Sequence, residues 1–130
     1  MIKRVLLIDD DQDDAELFAE ALKELEATAI FDHFEDGVKA LEGLTKNGVV
    51  YPDIIFLDIN MPLLNGWDCL RELKKVASLA RIPIIMFSTA NIHNIGVNPS
   101  DVGAAAFLTK PDSYKELKKN LGDLLNTLSI

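Results

Sequence analysis

The sequence has a single cysteine, Cys69, among its 130 residues. One cysteine cannot close a disulfide within the chain, and it cannot supply the sets of thiolates that hold structural zinc. The two histidines, His33 and His93, lie far apart and have no partners at ligand spacing, so no histidine metal site is expected. These shortages exclude small disulfide-rich folds and thiolate metalloproteins.

Basic residues are also scarce, with 13 Lys and Arg against 21 Asp and Glu and a formal net charge of -8. Because nucleic acids and anionic membranes bind basic surfaces, neither is an expected partner. No apolar run approaches the roughly 20 residues that span a bilayer. The first apolar stretch ends at Asp9, too early for a secretory signal. We therefore expect a cytoplasmic protein, and residues 1–130 fit one domain.

Short apolar segments alternate with longer segments of helical periodicity, which is the pattern of βαβ units. Strands are predicted over residues 3–8, 28–34, 53–57, 82–87 and 104–109. Because these strands are almost continuously apolar, helices must cover both faces of the sheet. The sequence therefore predicts an α/β fold, a doubly wound five-stranded parallel sheet in the flavodoxin-like order 2-1-3-4-5.

The fourth helix is the irregular element of this pattern. The segment from Asn91 to Val102 contains Gly96 and Pro99. Within a helix, glycine costs about 1 kcal/mol relative to alanine, and an interior proline costs about 3 kcal/mol. We expect a short or distorted helix that begins near Pro99, a mobile stretch before it, and contact with the output partner on this face.

Polar residues follow four of the predicted strands: Asp9 and Asp10, Asp58, Ser88 and Thr89, and Lys110. The first and third strands flank the point where the strand order reverses, so Asp9, Asp10 and Asp58 should share one crevice. Neighbouring carboxylates repel unless one is protonated or a hard cation lies among them, and oxygen ligands favour Mg²⁺. We therefore predict a Mg²⁺ site. A solvated, helix-capping role is favoured for the next acids along the chain: Asp11, Asp13 and Asp14.

Five motifs stand at strand ends or next to them: Ile8-Asp9-Asp10, Asp58-Ile59-Asn60-Met61-Pro62 with Gly66, Phe87-Ser88-Thr89-Ala90, Gly103-Ala104 and Lys110-Pro111. In this joint order they resemble the receiver domain of two-component response regulators. The resemblance covers essentially the whole chain. The segment from Asp9 to Leu17 is similar to the stand-alone receivers found beside phytochrome-type kinases.

The resemblance implies a single-domain response regulator that accepts a phosphoryl group on Asp58. The donor would be a phosphohistidine of a sensor histidine kinase or a phosphotransfer protein. Asp10 and Asp58 would bind Mg²⁺ through their side chains, Asn60 through its backbone carbonyl, and Asp9 mostly through a bound water. Lys110 would pair with Asp58 or with its phosphate.

Two further site residues are implied by the same resemblance. Counting from Pro83 in the family pattern places the switch hydroxyl at Ser88 and not at Thr89. Because strand residues alternate between faces, only one of the two can face the phosphoryl site. Phe107, three residues before Lys110, matches the switch aromatic residue, with ordinary packing as the alternative.

Two other functions stay open at this point. A Mg²⁺-dependent phosphohydrolase of the aspartyl-phosphate class also has paired acids, a hydroxyl and a Lys-Pro element. Such enzymes usually place the nucleophile after the first strand and enclose their substrate, and this chain has no segment to spare for that. A degenerate receiver used only for docking should lack a site residue, yet none is missing. We expect no enzyme acting on an outside substrate.

Output should run through contacts with an unknown downstream protein or through onward phosphotransfer, because no DNA-binding segment follows.

Overall fold

The computed structural model describes residues 2–89 and 99–128, which form one sheet of five parallel strands with helices between them. The elements in chain order are β1 Arg4–Ile8, α1 Gln12–Leu25, β2 Ile30–Phe34, α2 Gly37–Leu44, β3 Ile54–Leu57, α3 Gly66–Lys75, β4 Ile84–Ser88, α4 Pro99–Val102, β5 Ala106–Thr109 and α5 Tyr114–Leu128. The strand order is β2-β1-β3-β4-β5, and every neighbouring pair is parallel. The predicted fold class and strand order are confirmed.

Alternate residues of the central strands pack on opposite faces of the sheet. In β1, Leu6 and Ile8 join the core beneath α2 and α3, whereas Val5 and Leu7 join the core beneath α1 and α5. Every residue of β3 and β4 is buried, while the edge strands β2 and β5 are only partly buried. The continuous apolar runs in the sequence thus arise from strands covered on both faces.

The two longest helices, α1 and α5, are amphipathic and lie on the same face of the sheet. Their buried residues are Ala15, Phe18, Ala21 and Leu22 in α1 and Leu117, Leu121 and Leu125 in α5. Within the described part of the chain, no helix combines the length and the apolar character needed to cross a bilayer.

Side-chain caps fix where three helices begin. Asp11 accepts hydrogen bonds from the backbone N–H groups two and three residues after it, at the start of α1. Asp36 and Asn65 cap α2 and α3, each accepting one hydrogen bond from the N–H three residues after it. These caps satisfy N–H groups that have no partner inside the helix. The helix-capping role predicted for Asp11 is confirmed.

Some element ends differ from those predicted. β4 begins at Ile84, because Pro83 has no N–H to give to the ladder, and it extends to include Ser88. α2 ends at Leu44, and the hydroxyl of the next residue, Thr45, donates to a carbonyl of the last turn at 2.7 Å. Val38 of α2 is 41% exposed.

Within the described residues the fourth helix covers Pro99–Val102, and its start near Pro99 stays a prediction because residues 90–98 lie outside the described part of the chain. Proline is favourable in the first turn of a helix, where its missing N–H is not needed. Gly103 follows with a φ of 86°, a conformation that glycine adopts at little cost and that commonly ends a helix. The stretch before Pro99, predicted to be mobile, lies outside the described residues.

Candidate functional site

Three carboxylates meet at the carboxyl edge of β1 and β3. The backbone N–H of Asp9 donates to the carbonyl of Phe34 at 3.1 Å, and that of Asp58 donates to the carbonyl of Ile8 at 2.9 Å. Asp9 is fully buried, Asp58 is 5% exposed, and Asp10 is exposed. One carboxylate oxygen from each of the three acids lies within 4.8 Å of the other two. The structure therefore forms the acidic crevice that the sequence predicts.

Lys110 reaches into this crevice from the end of β5. Its backbone N–H donates to the carbonyl of Ser88 at 2.8 Å. Its Nζ lies 2.7 Å from Oδ2 of Asp9, 2.9 Å from Oδ2 of Asp14 and 3.6 Å from Oδ2 of Asp58. The expected pair with Asp58 is present, but it is the longest of the three contacts.

Burial has opposite effects on the two groups that face each other in the crevice. It raises the pKa of Asp58 from 3.8 to about 7, against the influence of the Lys110 charge. Burial lowers the pKa of Lys110, but hydrogen bonds to Asp14 and Asp9 and the charges of Asp9 and Asp58 raise it above its ordinary value. Lys110 is therefore charged. The carboxyl of Asp58 in the metal-free protein is partly protonated near neutral pH.

The crevice suits a hard cation. Oδ2 of Asp9 is buried, and its partner is the ammonium of Lys110 at 2.7 Å. The backbone N–H of Asn60 donates to Oδ1 of Asp58 at 3.3 Å, so this residue lies at the same edge. A donor set made only of oxygens, with one exposed member in Asp10, fits Mg²⁺ with retained waters.

The turn between β3 and α3 requires a glycine. The N–H of Gly66 donates to the carbonyl of Ile59 at 2.8 Å, which closes the turn. A Cβ on Gly66 would lie 2.2 Å from the carbonyl oxygen of Asp58 and 2.6 Å from Cα of Ile59. No side chain fits at such distances without moving the backbone of Asp58. This explains why a glycine accompanies the Asp58 motif.

Ser88 and Thr89 differ in exposure. Ser88 ends β4 and is 2% exposed, whereas Thr89 is exposed. Phe107 in β5 is partly buried, and its ring packs edge-on against Trp67 with centroids 5.9 Å apart. The burial of Ser88 favours it over Thr89 as the inward-facing hydroxyl. The switch roles of Ser88 and Phe107 stay predictions.

Two residues of the crevice were not predicted from the sequence. The interpretation of Asp14 as a solvated acid is wrong, because its Oδ2 accepts a hydrogen bond from Lys110. The helical period could have indicated this contact. Asp14 lies four residues before the fully buried Phe18, so the two side chains share one side of α1. The ring of Phe87 lies 5.3 Å from Nζ of Lys110, where it adds a cation–π contact.

Fold and site together define an open α/β protein with an acidic crevice of the kind that binds cations. The crevice lies between β1 and β3, where the strand order reverses. The chain belongs to the response regulator receiver domain family, which it matches over residues 5–122. Receiver domains act in two-component signalling, where histidine kinases phosphorylate them, and they bind a divalent metal.

The similar proteins include stand-alone response regulators. The chain is 30% identical over 125 residues to the response regulator Rcp1 of Synechocystis sp., covering 90% of this chain and 82% of Rcp1. The crystal structure of the phosphorylated cyanobacterial phytochrome response regulator RcpA matches with a TM-score of 0.86 and 25% identity, covering 97% of this chain and 93% of RcpA. The Mn²⁺-bound form of Rcp1 matches with a TM-score of 0.83 and 27% identity, covering 97% of this chain and 94% of that one.

Some relatives carry further domains. The protein-glutamate methylesterase/protein-glutamine glutaminase of Bacillus subtilis is 33% identical over 110 residues, which is 83% of this chain and only 29% of that protein. The shared part has the size of a receiver domain. The likeness therefore does not extend to the whole of that enzyme.

Proposed function

We propose that this chain is a single-domain response regulator that accepts a phosphoryl group on Asp58. The donor is the phosphohistidine of a sensor histidine kinase or of a phosphotransfer protein. The observation that carries the proposal is the position of Asp58. It directly follows β3, with a carboxylate oxygen within 4.8 Å of oxygens of Asp9 and Asp10 and 3.6 Å from the ammonium of Lys110. A carboxylate oxygen of Asp58 bonds to phosphorus as the bond from phosphorus to the imidazole nitrogen breaks. The imidazole leaves with that electron pair and then takes up a proton.

Mg²⁺ is the proposed metal. Asp10 and Asp58 would hold it through their carboxylates, Asn60 through its backbone carbonyl, and Asp9 mostly through a bound water. When bound, the ion supplies positive charge next to the transferring group. The oxygen-only donors and the burial of Asp9 and Asp58 support this choice.

The other site residues respond to the phosphoryl group. Lys110 carries a compact charge on a flexible stem, so its ammonium can move from the carboxylates to a phosphoryl oxygen. The Ser88 hydroxyl would donate to the same group, and Phe107 would change its packing against Trp67. The burial of Ser88 and the contact between Phe107 and Trp67 support these roles.

The proposed output is protein contact or onward phosphotransfer in the cytoplasm, with no action on an outside substrate. Acceptance and loss of the phosphoryl group are catalysed by the chain's own site. The formal net charge of -8 supports a protein partner over nucleic acid. Residues 1–130 would act as one domain.

Incubation with acetyl phosphate and Mg²⁺, followed by intact-mass spectrometry, tests the proposal. Wild type should gain one phosphoryl group and Asp58→Asn none. Asp123→Asn makes the same change at an exposed position of α5 and should label normally. Labelling of Asp58→Asn at Asp10 or Ser88 would contradict the assignment.

Two further assays, of phosphomonoester turnover and of Mg²⁺ binding, distinguish the other functions. Turnover of varied phosphomonoesters would indicate a phosphohydrolase. Normal Mg²⁺ binding without any phosphoryl uptake would indicate a docking-only receiver.

A further inference from the structure

Asp14 lies in the first turn of α1, outside the motifs that define the site. Its side chain is 35% exposed, and its Oδ2 accepts a hydrogen bond from Nζ of Lys110 at 2.9 Å. Its neighbour Asp13 is exposed and shares the same helical turn. The position of Asp14 is fixed by the packing of α1, because the next residue, Ala15, and Phe18 are both buried beneath that helix.

The ammonium of Lys110 is shared unequally among three acids. It lies closer to Asp9, at 2.7 Å, and to Asp14, at 2.9 Å, than to Asp58, at 3.6 Å. A lysine has one charge and three N–H donors, so a stronger contact with one acid weakens the contacts with the others. Any group that arrives on Asp58 must therefore compete with Asp14 for the lysine.

We propose that Asp14 is a positioning residue that holds Lys110 away from Asp58 in the unphosphorylated protein. This inference rests on the proposed function of Asp58. By drawing the ammonium toward α1, Asp14 reduces repulsion between Lys110 and a cation in the crevice. By the same contact, it opposes the move of Lys110 onto a phosphoryl oxygen. Asp14 thus favours the metal-bound, unphosphorylated state over the phosphorylated one.

The alternative is that Asp14 acts only as an acid near a helix N-terminus, where any carboxylate is favourable. Asp13 provides the matched control, because it stands in the same turn and loses the same charge when changed to Asn. Both Asp14→Asn and Asp13→Asn are made in wild type and in Lys110→Met. Asp14→Glu, which keeps the charge, serves as the conservative variant.

Two calorimetric titrations measure how each variant binds Mg²⁺ and a phosphoryl mimic. The first adds Mg²⁺ to metal-free protein, and the second adds beryllium trifluoride, a phosphoryl mimic, to protein saturated with Mg²⁺. Asp14→Asn should weaken Mg²⁺ binding about fivefold and tighten binding of the mimic by about the same factor, the size of a coupling between groups in contact. Asp13→Asn should change each dissociation constant by less than about twofold, because salt screens the interaction of an exposed charge with groups in the crevice. In Lys110→Met the two Asn variants should coincide, and Asp14→Glu should stay near wild type.

Equal effects of Asp14→Asn and Asp13→Asn in both titrations would overturn the inference. So would weaker binding of both Mg²⁺ and the mimic to Asp14→Asn, or an effect that persists in Lys110→Met. The proposed function of Asp58 fails separately, if wild type takes no phosphoryl group from acetyl phosphate. The Mg²⁺ titrations of the variants in wild type and in Lys110→Met then still decide whether Asp14 acts through Lys110.

Discussion

In its proposed function Asp58 faces two opposed demands, because a nucleophile must be ionised while burial favours the protonated form. Burial prevails in the metal-free protein and raises its pKa to about 7, although Lys110 acts against the rise. A carboxyl with a raised pKa in the folded state adds stability below its unfolded pKa and loses it as pH rises through the folded pKa. The acid therefore destabilises the metal-free fold as pH rises from about 4 to above about 7.

From this shift we predict a pH-dependent effect of Asp58→Asn, whose side chain is neutral at every pH. In the presence of a chelator, its gain in unfolding free energy over wild type should be larger near pH 8 than near pH 5, by about 2 kcal/mol after allowance for screening. Denaturant unfolding at both pH values measures the difference, with Asp123→Asn as the control that should show none. The same gain at both pH values would exclude a raised pKa of Asp58 as the cause.

Asp10 is the exposed member of the acidic group, so its removal changes charge and little packing. Asp10→Asn should stabilise the metal-free protein by about 0.5 kcal/mol, because it relieves repulsion close to the surface, and it should weaken Mg²⁺ binding. Wild type with Mg²⁺ at ten times its dissociation constant should gain about 1.4 kcal/mol from ligand linkage. The variant should gain less at the same Mg²⁺ concentration. Thermal unfolding with and without Mg²⁺ checks this, and a variant that melts below wild type yet keeps the full Mg²⁺ effect would refute a shared site.

At the scale of elements, the strand ends were predictable because β3 and β4 are buried on both faces and their apolar runs stop where the polar residues begin. The contact between Asp14 and Lys110 was not. Whether an acid in the first turn of a helix faces solvent or the sheet depends on the rotation of the helix, which Phe18 and its neighbours set by packing. Likewise, the exposure of Val38 follows from how α2 docks, which no local pattern fixes.

Gly66 in the turn between β3 and α3 should not tolerate a side chain. Gly66→Ala places a Cβ 2.2 Å from the carbonyl oxygen of Asp58, so the backbone of Asp58 must shift. The variant should lose about 2 kcal/mol or more of unfolding free energy and take up phosphoryl groups more slowly. Urea unfolding and labelling with acetyl phosphate measure both effects.

Gly122→Ala is the matched control for that turn. Its Cβ would lie 3.2 Å from a terminal methyl of Leu25, which can move, and alanine favours the helical conformation of α5 by about 1 kcal/mol. It should therefore be neutral or stabilising and should label normally. A Gly66→Ala protein as stable as Gly122→Ala would show that the turn tolerates a side chain.

At the scale of the whole molecule, the crevice and the surface beyond it share one strand. Lys110 follows the end of β5 and is tied to β4 by its hydrogen bond to the carbonyl of Ser88. Three residues earlier, Phe107 packs against Trp67 at the start of α3. A move of Lys110 toward Asp58 therefore pulls on the same strand that carries Phe107. We therefore predict that a move of Lys110 alters the packing of Phe107 against Trp67.

The Lys110→Met variant separates folding from this transmission. In Mg²⁺, whose charge can replace that of the lysine near Asp9 and Asp58, the variant should remain folded, because the methionine keeps most of the apolar stem. It should nevertheless lose most of the change in amide chemical shifts that phosphorylation causes at Trp67 and Phe107. Lys115→Met, at an exposed position of α5, should respond as wild type does. If Lys110→Met is phosphorylated and its amides shift as fully as those of Lys115→Met, the signal does not pass through Lys110, and another group in the crevice must carry it.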